Sequence, residues 1–433
     1  MFGVTDALTG VASGHFAPLS FSVMQPISIW SYTMKKRILI IGSGFAGMWS
    51  ALSATRLLDQ HNRDDVDVTV LAPQAELRVR PRFYEQQVHR MVAPLAELFD
   101  AVGVTFIKGF AKEIDVAAKA VRYQDQAGEV TSLAYDKLVL ASGSKVIRPA
   151  LPGMNHVFDV DELDQAVRLE THIQALGEQP ESLARNTVVV AGGGFTGIET
   201  AAEMPERLRA ALGADAKTRV IIIDKATEIA AALGQGPRGA IVDASEELGL
   251  EWLLGRTVAS ADADGVTLDN GERIDAKTVI WTVGVRADAL TEQIPAERDN
   301  FGRLHVDDNL KVLGLDDVFA TGDTAYAKTD DAGNHALMSC QHAIALGRAS
   351  GNNAAASLLE VAPHPYRQEM YVTCLDLGAW GAMYSEGWDR EVKMVKDEAK
   401  QLKSQINSVW IYPPAADRAQ ALAAADPSIP VVA

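Results

Sequence analysis

Seven short runs rich in β-branched residues stand out along the chain: Arg37–Ile41, Asp67–Leu71, Lys137–Leu140, Thr187–Val190, Arg219–Ile223, Thr278–Val283 and Asp317–Ala320. Each is continuously apolar, not alternating, which is the pattern of parallel strands covered on both faces. Helical periodicity lies between several of them, as at Ala46–Asp59 and Thr196–Leu212. Strand and helix in alternation predict an α/β fold of doubly wound type.

The pattern repeats. Ile38–Gly47 (ILIIGSGFAG) and Val188–Gly197 (VVVAGGGFTG) match 150 positions apart, and each is followed by a further buried run. A duplicated nucleotide-binding unit accounts for this. The expected fold class is therefore α/β with two Rossmann-like nucleotide-binding units. A small, mainly β C-terminal module follows. The expected boundaries are 1–33 for a flexible extension, 34–151 with 283–350 for the first nucleotide unit, 152–282 for the second and 351–433 for the C-terminal module.

In both repeats the glycines follow a strand and open a helix, as the dinucleotide fingerprint requires. Gly42 and Gly192 permit the tight turn, Gly44 and Gly194 let a phosphate approach the backbone, and Gly47 and Gly197 let helix and strand pack closely. Free N–H groups at the helix start then face the pyrophosphate, placing Phe45, Ala46, Phe195 and Thr196 at the cofactor. The strand after the second loop ends at Asp224, a carboxylate suited to the ribose hydroxyls and repulsive to a 2′-phosphate. NADH is therefore expected, with NADPH less favoured; Lys225 beside it partly offsets the repulsion. In the first unit the matching position is Ala72, which binds no ribose, so Gln74 or Glu76 is left to reach the sugar.

Further along, apolar residues at Val392, Val395, Ala399, Leu402, Ile406 and Val409 form a helical stripe with Lys393, Lys396, Lys400 and Lys403 off it. This predicts one amphipathic helix over 391–409. Pro413-Pro414 ends it, and the Ala-rich tail beyond reads as loosely ordered. A basic amphipathic helix suits a lipid surface, but packing on its own domain or on a second subunit is the favoured reading.

Composition narrows the partners. The net charge of −17 disfavours nucleic acid and anionic membranes. Two cysteines, Cys340 and Cys374, are too few for a disulfide scaffold or a zinc site, so no metal is expected and a reducing cytoplasm fits. Residues 1–33 lack Lys and Arg, against a targeting sequence, and no run is long enough to span a bilayer.

These motifs, with Tyr135–Ser144 (YDKLVLASGS), Trp281-Thr282-Val283-Gly284 and Val318–Asp323 (VFATGD), stand in the order seen in two-dinucleotide-domain flavoproteins. The chain resembles most closely the type II NADH dehydrogenases, over roughly residues 34–351. That resemblance implies two Rossmann-like domains, FAD in the first and NADH in the second, the second inserted in the first. It places Ala111, Ala141, Ser142, Gly143, Gly284 and Gly322 along the cofactors and Arg82 and Tyr84 near the flavin. Asp323 would hold the ribityl chain, although a helix N-cap is an equally compatible role. Glu199 would face the gap between nicotinamide and isoalloxazine, to relay protons or to hold the carboxamide, with a purely structural role as the alternative. The helix Met48–Leu52 lacks the cysteines of the disulfide-reductase branch, so electrons leave the flavin directly.

The acceptor end departs from the family. Where type II enzymes carry an AQxAxQ-like segment, this chain reads Cys340-Gln341-His342-Ala343-Ile344-Ala345, keeping only Gln341 and Ala343. Gln341 and His342 are the candidate catalytic groups beside the flavin, with a structural histidine as the competing account of His342. Cys340 reads as a small buried residue. The expected activity is hydride transfer from NADH to FAD and onward to a small acceptor, a quinone being one. Its rivals are a soluble flavin oxidoreductase with another acceptor and a non-catalytic NAD(H) sensor. A homodimer is compatible with the sequence.

Overall fold

A computed structural model describes residues 35–431 and, before them, only Gly14. The expectation of a flexible extension over 1–33 lies outside the described residues. The chain opens with β1 (Lys36–Ile41), α1 (Phe45–Gln60), β2 (Val66–Ala72), α2 (Ala96–Val102) and β3 (Thr105–Lys108). A three-stranded meander, β4 (Phe110–Asp115), β5 (Ala120–Gln124) and β6 (Val130–Ala134), leads to β7 (Lys137–Leu140). A short strand, β8 (Ser144–Val146), then carries the chain away to α3 (Leu163–Ala175), β9 (Thr187–Ala191), α4 (Phe195–Leu212), β10 (Arg219–Asp224), α5 (Gln235–Leu248) and β11 (Leu250–Leu254). A second meander, β12 (Val258–Asp262), β13 (Gly265–Leu268) and β14 (Arg273–Asp275), precedes β15 (Thr278–Trp281), and β16 (Val285–Ala287) brings the chain back to β17 (Val318–Ala320). The last part holds α6 (Cys340–Leu359), β18 (Val372–Asp376), β19 (Ala382–Glu386), β20 (Glu391–Val395), α7 (Lys396–Gln405) and α8 (Arg418–Ala424).

Two parallel sheets result. The first has the order β17-β7-β1-β2-β3 and the second β11-β10-β9-β15. Because β17 pairs with β7, the whole second sheet lies between two strands that are neighbours in the first. The antiparallel ribbon β8/β16 carries both crossings. Ile38, Leu39 and Ile40, like Val188, Val189 and Val190, are wholly buried, which explains their uninterrupted apolar runs. The helix α6 lies along α1 so closely that a Cβ on Gly351 would stand 2.0 Å from the Ser50 carbonyl oxygen.

The C-terminal part differs from the sequence reading. Residues 391–409 are not one helix: Glu391–Val395 is the third strand of an antiparallel sheet β18-β19-β20, and the helix begins only at Lys396. Val392 and Met394 share the covered face while Val395 is exposed. The α-helix itself ends at Gln405 and gives way to a single π-turn, Ile406–Trp410, before Pro413. The tail is ordered as well. In α8, Ala421 and Leu422 are buried, and Arg418 donates to the Val102 carbonyl oxygen at the end of α2.

Candidate functional site

The two glycine loops are equivalent down to single hydrogen bonds. Gly42 N donates to Leu71 O at 2.9 Å and Gly192 N to Ile223 O at 2.8 Å; Ala141 N donates to Ile41 O and Thr282 N to Ala191 O, both at 2.9 Å. Gly42 and Gly192 have φ of +108° and +107°, a region closed to most side chains. A Cβ on Gly47 would meet Gly42 O at 2.0 Å, and one on Gly197 would meet Gly192 O at 1.9 Å. Around Gly44 and Gly194, by contrast, nothing lies within 4 Å of a Cβ position. Each loop thus leaves one open face at a helix start, the shape that a pyrophosphate fills.

The residues present fit two nucleotides. Ser142 Oγ, between Ala141 and Gly143, is buried without a hydrogen-bond partner, as a hydroxyl awaiting a cofactor oxygen would be. The third strand end of the first sheet, Gly322, lies 2.7 Å from Ala46 Cβ and 3.6 Å from Ala343 Cβ, measured from an ideal Cβ, so the starts of α1 and α6 converge there. Asp323 does not cap the following turn: Thr321 is the N-cap. Its carboxylate accepts from Ser144 Oγ at 2.6 Å and has Arg80 at 3.8 Å. Asp224 accepts from Gly193 N and Ala226 N, which pins its carboxylate against the second loop. In the first loop the Ser43 hydroxyl lies 2.9 Å from Gln74 O and 3.0 Å from Glu76 O, drawing that segment to the glycines. Gln74 Oε1 accepts from Arg78. Ala111 stands on β4, half-buried, opposite Tyr123. Gly284 has φ of +71° and faces Ile147.

Glu199, on the second turn of α4, is 4% exposed. Its Oε1 accepts from Lys403 Nζ at 2.8 Å and from Asp376 N at 3.0 Å, and Lys403 Nζ also donates to Cys374 O at 2.9 Å. Burial pushes the Glu199 carboxyl up to about 7, against the downward pull of Lys403. One turn on, Glu203 is likewise pushed up to about 7, by burial and then by Asp376. A charged cleft of about 360 Å³ reaches Glu203 and Lys403, the partner of Glu199, from the surface, lined also by Glu206, Asp376, Lys400 and Asn407 among others. Sequence reasoning placed Lys403 on the polar face of a surface helix; the structure buries it.

Three further candidates have protein partners of their own. Arg82 is committed to Glu85 through two hydrogen bonds and to Asn407 O and Tyr412 Oη, so its guanidinium serves the C-terminal segment. Tyr84 is buried, with its hydroxyl 3.3 Å from Asp376. His342 is wholly buried, bonded through Nδ1 to Ser339 Oγ and stacked near Tyr371, with Nε2 unpartnered. Burial holds it down at about 3, so the ring stays neutral at ordinary pH. Gln341 remains half-exposed at the start of α6, donating to Val372 O and accepting from Gln368. Cys340 and Cys374 are free thiols, both pushed up to about 11 by burial. Arg80 and Asp376 carry no motif and were missed.

Comparison with known proteins agrees with this geometry. The family model for pyridine nucleotide-disulphide oxidoreductases matches residues 36–347, and the chain belongs to that family. An NADH dehydrogenase-like protein of Mycobacterium tuberculosis is 43% identical over 399 residues, spanning 91% of this chain and 98% of the relative. A type II NADH:quinone oxidoreductase of the same organism is 29% identical over 323 residues, 67% of either chain. Among solved structures, NDH2 of Plasmodium falciparum in complex with NADH superposes with a TM-score of 0.73 at 14% identity, covering 87% of this chain and 96% of that one. This is an oxidoreductase, a flavoprotein working with a nicotinamide nucleotide. Among the described residues, no helix is long and apolar enough to cross a membrane.

Proposed function

We propose that the chain is an FAD-dependent NADH dehydrogenase that passes electrons to a quinone-like acceptor without a redox dithiol. A flavin bound here would accept hydride from the nicotinamide and return two electrons to the acceptor. The chain's own part is to hold two nucleotides by the paired loops, to exclude water and to manage the accompanying protons. The observation that carries this reading is the buried Glu199–Lys403 pair, which joins the helix behind the nucleotide loop to the C-terminal module. A carboxyl held at about 7 exchanges its proton readily near neutrality, the condition for a proton relay. The cleft past Glu203 and Lys400 supplies a route to water.

For the acceptor, a groove of about 390 Å³ runs beside α6, walled by Ala345, Ala349, Tyr366 and Met370 and closed by Pro427–Val431. Gln368, in its lining, donates to Gln341 at 3.4 Å, so the groove adjoins the end of α6 assigned to the flavin. An apolar-tailed acceptor suits it. Asp224 supports NADH over NADPH, and Gln74 and Glu76 remain the candidates for the FAD ribose.

A second reading, a soluble flavin oxidoreductase with another acceptor, is favoured by Cys340 and Ala345 in place of the two missing motif members. Anaerobic addition of NADH to the purified holoenzyme tests both. Bleaching of the flavin absorbance with recovery on a short-chain quinone is expected. Recovery only with soluble oxidants supports the second reading, and colourless protein that leaves NADH unoxidised defeats both.

A further inference from the structure

The ribbon β8/β16 carries both passages of the chain between the two parallel sheets, and one guanidinium sits against it. Arg80 comes from the first unit, in a 3-10 turn stiffened by Pro81. Its Nη1 donates to Ser144 O at 3.1 Å and to Ser144 Oγ at 2.9 Å, and its Nη2 pairs with Asp161. Asp161 rides on the second unit, because Phe158 is bridged to Ile280 of β15 and Asp159 accepts from the Asp161 and Glu162 backbone. The other oxygen of Asp161 accepts from Val146 N at 2.8 Å, on the ribbon itself. Ser144 Oγ passes its own hydrogen to Asp323 at 2.6 Å. An unbroken chain of polar contacts thus runs from the second unit through Arg80 to the carboxylate beside Gly322.

We propose that Arg80 is a positioning residue that couples the two nucleotide sites, so that occupancy of the second loop tightens the hold of Asp323 and the first loop on their cofactor. This rests on the function proposed above. The planar fork of arginine suits the task, since it bonds Ser144 and Asp161 in fixed mutual geometry, and a small rotation of the second unit must move Ser144 Oγ. Contacts on the far side, Arg207 to Tyr84 O and Glu170 to Gln87 N, join the units without touching the ribbon. Coupling of this kind is reciprocal and typically amounts to about 5–150-fold in affinity.

The test uses the holoenzyme. Release of FAD on dilution is followed by flavin fluorescence with and without saturating NAD+, and NAD+ affinity by titration of the flavin absorbance. In the natural protein, NAD+ is expected to slow release at least about fivefold. In Arg80→Gln, NAD+ still binds, weakened by about the factor by which it no longer slows release, as reciprocity requires; Arg80→Lys restores part of both effects. Asp161→Asn, which cuts the same chain from the other unit, should behave as Arg80→Gln does, and it replaces that variant if Arg80→Gln does not fold. A response to NAD+ that survives in both variants overturns the proposal, as does a natural protein whose flavin release ignores NAD+. Loss of flavin from Arg80→Gln while Asp161→Asn responds normally also overturns it, by reducing Arg80 to a local flavin contact. A natural protein that carries no flavin would instead defeat the underlying function.

Discussion

Lys403 Nζ lies 2.8 Å from Glu199 Oε1 although 204 residues separate them, and neither side chain is more than 7% exposed. Burial raises the carboxyl and the ammonium lowers it. If Glu199 supplies a proton during acceptor reduction, activity falls as pH rises through about 7, because the raised group is protonated below that point and ionised above it. Lys403→Met removes the downward pull, so the fall should move to higher pH; Glu199→Gln should abolish it. The rate of acceptor reduction against pH in the three proteins decides this. A Lys403→Met profile unmoved or shifted to lower pH contradicts the relay.

The same pair makes a stability prediction. Removing one partner of a buried ion pair leaves the other uncompensated and costs about 3–5 kcal/mol. Glu199→Gln strands Lys403 and should lower the denaturant midpoint accordingly, whereas Lys393→Met, at an ammonium paired with exposed Glu391, should leave it unchanged.

The glycine loops can be tested separately. Gly47→Ala puts a methyl 2.0 Å from Gly42 O and should yield protein with little bound flavin. Gly197→Ala, with its contact at 1.9 Å, should keep the flavin but weaken NADH binding at least tenfold, a cost of about 1.4 kcal/mol. Absorbance of the purified variants and an NADH titration read the two effects apart. Equal loss of flavin in both would reject the assignment of loops to cofactors.

Asp224→Asn removes the charge and keeps an acceptor for only one of the two donors, Gly193 N and Ala226 N. The ratio of kcat/KM for NADH to that for NADPH should fall about tenfold or more, the scale of one charge-assisted hydrogen bond. An unchanged ratio would show that Asp224 serves only the backbone.

His342→Asn should leave the pH profile intact, since the ring is neutral throughout the working range, but should lower stability by loss of the packing near Tyr371 and Trp388. A lost ionisation in that variant would restore the histidine as a proton donor.

The sheets were legible because burial on both faces leaves an uninterrupted apolar run, and the loops because turn, close approach and helix start each demand glycine at a fixed place. What was not legible lay where two periodicities overlap. Val392 and Val395 satisfy a helical stripe, but Val392 and Met394 also satisfy a strand, and the chain breaks at Lys396, which takes φ of +59°. Lys403 looked like one more ammonium on a wet face, because its partner sits far back in the sequence. Arg80 belongs to no pattern of its own; only the crossing of the chain between sheets gives it neighbours.

The Glu199 carboxylate accepts its hydrogen bonds from beyond residue 370, from the Asp376 amide and from the Lys403 ammonium, which the Cys374 carbonyl also holds. The acid strength that burial gives a group in the nucleotide half is therefore tuned from the last sixth of the polypeptide. A chimera that borrows another relative's terminal segment would inherit not only a new acceptor wall but a new setting of that proton, and the two would have to be rematched before the hybrid could turn over.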